Sequence, residues 1–114
     1  MTWEEFCAEF IPEPATVQVE PYDGSGAYGD VFGAPVDVTP CVVDESRRLV
    51  RVQTQDAAGQ EAVSSTTVFA PLATTCPAGS RVTLTGRPAA RVLAVSRPTD
   101  HGLELPEHLE ISLE

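Results

Sequence analysis

The residues of this chain whose types could do chemistry are few: His101 and His108, Cys7, Cys41 and Cys76, and the glycine pattern Gly24-Ser25-Gly26-Ala27-Tyr28-Gly29. A structural zinc site draws four Cys or His ligands, usually with two of them close in sequence. The cysteines stand about 35 residues apart, no CxxC pair occurs, and neither histidine is near a cysteine in sequence. That spacing points to free buried thiols in a reducing compartment and not to a metal site. A nucleophilic Ser or Cys needs a base within reach and an oxyanion site. No serine sits in a GxSxG elbow, and both histidines fall in the last fourteen residues. The glycine pattern matches the dinucleotide fingerprint letter for letter. That fingerprint works only where a strand precedes it and a helix opens inside it, because the pyrophosphate rests on the helix N-terminus. Here Asp30-Val31-Phe32-Gly33-Ala34-Pro35 follows and cannot supply a helix. The glycines read as turn residues. No catalytic, cofactor-binding or metal-ligating residue is expected, and the chain reads as no enzyme.

The arginines offer a different chemistry. Arg81, Arg87, Arg91 and Arg97 flank two strand candidates, and on a small five-stranded barrel such a set could track a phosphate backbone. Stacking aromatics should then interleave with them, and only Phe69 is near. Solvated arginines, or arginines pairing with acids of another subunit, fit better.

The elements that must position these residues are organised around Val63–Arg97. Val63–Ala70 is rich in β-branched residues and stops at Pro71. Cys76-Pro77-Ala78-Gly79 suits a type I turn. Arg81–Leu84 alternates, Thr85–Pro88 breaks the chain, and Ala90–Val95 is a further strand. Turn signals at this spacing predict an all-β fold, a small antiparallel barrel or sandwich. Upstream, Thr2 and Glu5 form a capping box, and Trp3, Phe6, Cys7 and Phe10 follow at the spacing of one helical face. Pro12 and Pro14 stop this short N-terminal helix, assigned to residues 1–12. Its aromatic face must dock, either on its own barrel or on a neighbour. Ala15–Glu20 alternates as a strand, and Pro21–Pro35 reads as a long loop or loose hairpin. In the strand Val36–Val43, Pro40 demands an edge or a bulge. Arg48–Thr54 alternates, Gln55–Gln60 is a polar turn, Thr99–Glu107 is loop, and Leu109–Glu114 is a last strand.

At 114 residues this is one domain, long enough to bury its own core. No apolar run approaches a membrane span, and the acidic Met1–Glu5 start is unlike a basic signal peptide, so a cytoplasmic site of synthesis is expected. The absence of lysine and asparagine reflects GC-rich coding. Net charge is −10 and unevenly placed. Residues 1–46 carry ten acids and no base, residues 47–97 hold all seven arginines against Asp56 and Glu61, and residues 98–114 add five acids. This balance argues against a generic nucleic-acid binder. It suits pairing of opposite segments between copies, or a surface that repels polyanions.

Taken in order, Thr16-Val17-Gln18-Val19, the Gly-rich stretch with Tyr28-Gly29-Asp30, Cys41-Val42-Val43-Asp44 and Ser64-Ser65-Thr66-Thr67-Val68-Phe69-Ala70-Pro71 form a familiar series. Pro77-Ala78-Gly79-Ser80-Arg81-Val82-Thr83-Leu84, Arg91-Val92-Leu93-Ala94-Val95 and His108-Leu109-Glu110-Ile111 complete it. The series resembles the head-to-tail stopper, or head completion, proteins of long-tailed phages, in particular those of high-GC actinobacteria, over nearly the whole chain. Ser80 departs from the acidic residue often found before the Arg-Val pair, a change expected to affect the turn only.

The resemblance implies a small barrel, assembled as a dodecameric ring in the virion neck. The ring sits below the portal and adaptor and above the tail. It implies that a segment between strands reaches the channel and holds DNA back after packaging until the tail attaches. On this chain that segment is 44–62, with Asp44, Glu45, Arg47, Arg48, Arg51, Gln53, Gln55 and Asp56 as channel residues, and it should lack a core-facing partner of its own. Trp3, Phe6, Phe10, Arg81 and Arg91 are the candidate partner-interface residues. A tail terminator or minor tail ring protein is the neighbouring alternative, and a small nucleic-acid-binding barrel the more distant one.

Overall fold

The computed structural model describes residues 2–27, 29–54, 58–98 and 107–114. The helix α1 (Trp3–Phe10) is followed by β1 (Ala15–Glu20), β2 (Tyr22–Gly26), β3 (Gly29–Phe32), β4 (Val36–Asp44) and β5 (Arg48–Arg51). Then come β6 (Glu61–Ser64), β7 (Thr66–Pro71), β8 (Arg81–Thr83), β9 (Ala90–Ser96) and β10 (His108–Leu113). Six strands close into a barrel in the order β1-β4-β7-β10-β9-β8. Every pairing in it is antiparallel. Of the two expected architectures, the barrel is the one formed.

Alternation along each strand decides what fills it. Val17 and Val19 of β1, Cys41 of β4, Val68 and Ala70 of β7, Val82 of β8 and Val92 of β9 meet Leu109, Ile111 and Leu113 of β10 inside. A barrel of six strands is narrow, and short branched side chains suit its interior. Burying each Val, Leu or Ile contributes about 1.5–3 kcal/mol. Pro40 sits where the β1–β4 register slips, since Ala15 pairs with Cys41 but Val17 with Val38. It occupies a bulge in a central strand, the second of the two places open to it.

Two expectations shift by a residue or two. The turn before β8 is closed by Ser80 N–H donating to Pro77 C=O (3.1 Å), so it starts at Pro77 and not at Cys76. Gly79, at φ +93°, then takes the third position, where a type II turn requires positive φ. The Val63–Ala70 run splits at Ser65 into β6 and β7, which belong to different sheets.

Outside the barrel lie two hairpins, β2–β3 and β5–β6. The first resolves the loop-or-hairpin reading of Pro21–Pro35. It also disposes of the fingerprint, because a strand and not a helix follows the glycines. The second runs from Arg48 to Ser64, taking in most of 44–62 and two residues beyond it, and it is not free of the body. Val52 (5% exposed) and Thr54 (3%) are buried. Gln53 N–H donates to Leu93 C=O (2.8 Å), and Val95 N–H donates to Gln53 Oε1 (3.0 Å). Only β8 residues 81 and 82 pair with β9, so the rest of that β9 edge is open to this docking. The expectation that the segment lacks a core-facing partner is therefore corrected at residues 52–54.

Candidate functional site

The helix α1 is too short to persist alone in water and owes its position to packing. Its start is fixed by the capping box, Glu5 N–H donating to Thr2 Oγ1 (3.2 Å) and Thr2 N–H to Glu5 Oε2 (3.3 Å). Trp3 and Cys7 are buried. Trp3 Nε1–H donates to Pro40 C=O (2.8 Å), and its ring lies 5.2 Å from His108, which in turn meets Phe69 at 5.4 Å. Trp3 thus belongs to its own subunit's packing, a correction to its place among the partner-interface candidates. Phe6 is half-buried, and Phe10, 56% exposed, lies tilted against it with ring centroids 5.3 Å apart. Glu4, Glu5 and Glu9 are exposed on the same helix.

The channel candidates are spread along a hairpin. Asp44 ends β4 and accepts from Ser46 Oγ (3.1 Å). Glu45 pairs with Arg87. Arg47, Arg48 and Arg51 are exposed, and among the described residues they form no ion pair. Gln53 is committed to β9 as described. Gln55 and Asp56 lie outside the described residues. The register sets Arg48 opposite Ser64, Leu49 opposite Val63, Val50 opposite Ala62 and Arg51 opposite Glu61. Side chains alternate between faces, so Val50 and Ala62 turn to the body while Leu49 (66% exposed) and Val63 (55%) face out.

Leu49 and Val63 were missed from sequence, though the signal was present. In Arg48-Leu49-Val50-Arg51-Val52 both parities of the alternation carry an apolar residue, so one of them must be left outside. Ser64 anchors the hairpin's other end, its Oγ donating to Leu113 C=O (2.7 Å).

Two of the remaining arginines, Arg81 and Arg87, are held by carboxylates. Arg81 pairs with Glu20 (2.8 Å) and lies 4.0 Å over the Phe32 ring. Arg91 is half-buried and lines a cleft of about 300 Å³ with Tyr22, Ser25, Asp30, Thr54, Ala78 and Gly79. Arg97 is exposed just past the end of β9. A phosphate-tracking surface needs its cations free, and Arg81 and Arg87 are bound to carboxylates. That arrangement counts against the nucleic-acid reading.

Among the described residues no three His, Cys, Asp or Glu side chains come together. His108 is held between Trp3 and Phe69 with Glu110 Oε1 at 3.5 Å, an arrangement of packing. Burial pushes the Cys41 thiol up to about 12 and Cys76 to about 11, far from the thiolate a nucleophile requires. The surface carries an acidic, aromatic helix and, on the β5–β6 hairpin, exposed arginines beside an apolar pair.

Comparison with protein-family models, with curated proteins and with solved structures finds no match to this chain. Its function is argued from its own residues and from the sequence resemblance.

Proposed function

We propose that this chain is a head-to-tail stopper, a ring-forming protein of a phage virion neck that closes the DNA channel between packaging and tail attachment. The observation that carries the reading is the β5–β6 hairpin, which stands outside a closed barrel between two wall strands, β4 and β7. That is the place where the resemblance puts the channel segment. Its four-residue strands leave two outer edges, and such edges are templates for pairing with further chains. Around a ring, copies of the hairpin would satisfy one another's backbone groups and narrow the opening.

The charge fits the same role. A ring repeats one heterologous contact, so a surface of one sign must meet its opposite on the next copy. The acids in excess on the rest of the surface would keep DNA from adhering as it passes. The partners are then further copies of this chain, an adaptor or portal ring above and a tail below. The test is a virion lacking the protein. Heads should fill with DNA, lose it before tails join, and regain retention when the protein is supplied. Normal DNA retention and normal tails without it would end the reading.

A further inference from the structure

The acidic helix and the basic hairpin sit at opposite ends of one strand. β10 begins at His108, against Trp3 of α1 and opposite Pro71. It ends at Leu113, opposite Thr66, where Ser64 of β6 and Ser65 bond to the carbonyls of Leu113 and Glu114. Six strand residues separate the two ends by about 17 Å. The long axis of the molecule is 46 Å against 27 and 23 Å for the others. One end presents Phe10 and half-buried Phe6 among Glu4, Glu5 and Glu9. The other presents Leu49, Val63, Arg51 and Glu61 on its outer face, with Arg47 and Arg48 exposed beside it.

We infer that α1 of one copy docks on the outer face of the β5–β6 hairpin of the next copy. Phe10 and Phe6 would cover Leu49 and Val63, and Glu9 would face Arg51, the arginine that shares the outer face with Leu49. The occupant is a second copy because charge and apolarity match in both directions. Hairpin against hairpin would set Arg47, Arg48, Arg51 and Glu61, a net positive group, on its like, and helix against helix acids on acids. Like charges placed opposite each other destabilise a contact. The head-to-tail pairing joins net opposite charges. Unless two copies close on each other as an antiparallel pair, it propagates into a ring or a filament, and the size of the assembly separates the two outcomes. The inference rests on the stopper reading only for where the ring stands, and it identifies the contact that builds it.

The three native cysteines are buried, which permits a disulfide test on the full chain. A Leu49→Cys chain is mixed with a Phe10→Cys chain under mild oxidation. The mixed disulfide should exceed either homodisulfide severalfold, and the double variant should give a ladder of multimers. Charge reversal supplies a readout that does not depend on thiol geometry. Arg51→Glu and Glu9→Arg should each reduce association at low salt about tenfold or more, and combining them should restore it. The same loss should follow from raising salt from about 0.01 M to about 1 M, where the screening length drops from about 30 Å to about 3 Å.

Homodisulfides equal to the mixed product, or association indifferent to both reversals, would overturn the proposal. If necks still contain the protein as a ring while both reversals are silent, this contact is wrong and the stopper reading survives. If an adaptor-type ring protein and not this chain captures the Leu49→Cys thiol, the hairpin face belongs to that partner and the inference fails. If the protein neither associates nor occurs in necks, both fall together.

Discussion

Two hairpins leave the same barrel, and they are held to it in different ways. β2–β3 is tied through side chains at the end where Tyr22 pairs with Phe32. Tyr22 N–H donates to Ser80 Oγ (2.9 Å), the Tyr22 ring covers Gly79, and Phe32 lies under Arg81. Ser80 is wholly buried and also donates to Pro77 C=O (2.6 Å). This residue, expected to matter only to the turn, joins turn to hairpin. β5–β6 is fixed at its two ends, by Val52 to Thr54 and by Ser64, while its middle shows Leu49 and Val63 to solvent. An apolar surface completed within the chain is part of the body. One fastened at the ends and left uncovered between them is available to a partner.

The first hairpin is where substitution should cost most. A Cβ on Gly79 would meet Tyr22 Cγ at 3.2 Å, and φ there is +93°. Gly79→Val combines backbone strain with overpacking, and a loss of about 2–4 kcal/mol is expected in denaturant unfolding. Ser80→Ala leaves the Tyr22 N–H without its acceptor and should cost about 1–3 kcal/mol. Against a total of about 5–15 kcal/mol for a domain, either change is large. If both variants unfold at the wild-type midpoint, β2–β3 is as loosely held as its counterpart and the contrast disappears.

Val52→Ala addresses the second hairpin at its base. Removing two buried methyl groups should cost about 1.5–3 kcal/mol. Amide exchange should quicken at residues 48–51 and 61–64 while the barrel strands stay protected. Uniform acceleration across the chain would mean that hairpin and barrel open as one unit, with no separate element to recruit.

Alkaline pH acts on the body and spares both hairpins. Cys41 of β4 and Cys76 before the Pro77 turn are raised to about 12 and about 11, burial being the main cause at each. Unfolded thiols titrate near about 8.5. Between those values the folded chain keeps protons that the unfolded chain has lost, so the stabilisation is complete below about 8.5 and falls as pH rises toward 11. Unfolding midpoints should therefore drop between about pH 9 and pH 10.5, and replacing Cys41 and Cys76 by Val and Ser should flatten that slope.

The barrel was legible in the sequence because its strands alternate cleanly between turn signals. Ala15–Glu20, Ala90–Ser96 and the terminal strand appear within a residue or two of where alternation places them. The capping box fixed α1 equally well, since Thr2 and Glu5 act locally. Tertiary partnership was harder to read. Trp3 could have faced a neighbour, and only the position of the Pro40 carbonyl turns it inward. Thr66 follows Ser64 without any break in composition, yet the chain changes sheets at Ser65 because Ser64 bonds across to Leu113. Charged residues drew attention to 44–62, whereas the face of that hairpin most open to contact belongs to Leu49 and Val63.

The smallest expected change in stability is the one that bears most directly on assembly. Leu49 and Val63 are more exposed than buried in the single chain (66% and 55%), so replacing both with serine removes little buried area. Unfolding free energy should stay within about 0.5 kcal/mol of wild type. Hydrophobic contact between copies would lose its apolar half, and association should fall at least tenfold while the arginines around it remain. A structural role inside the subunit would produce the opposite pattern, lower stability with unchanged association. Because Leu49 faces Val63 across the register, the single changes should be non-additive, each exposing part of what the other covers. If the double serine variant is destabilised by more than about 1.5 kcal/mol, these side chains are packed in the subunit and the hairpin's outer face is no docking surface.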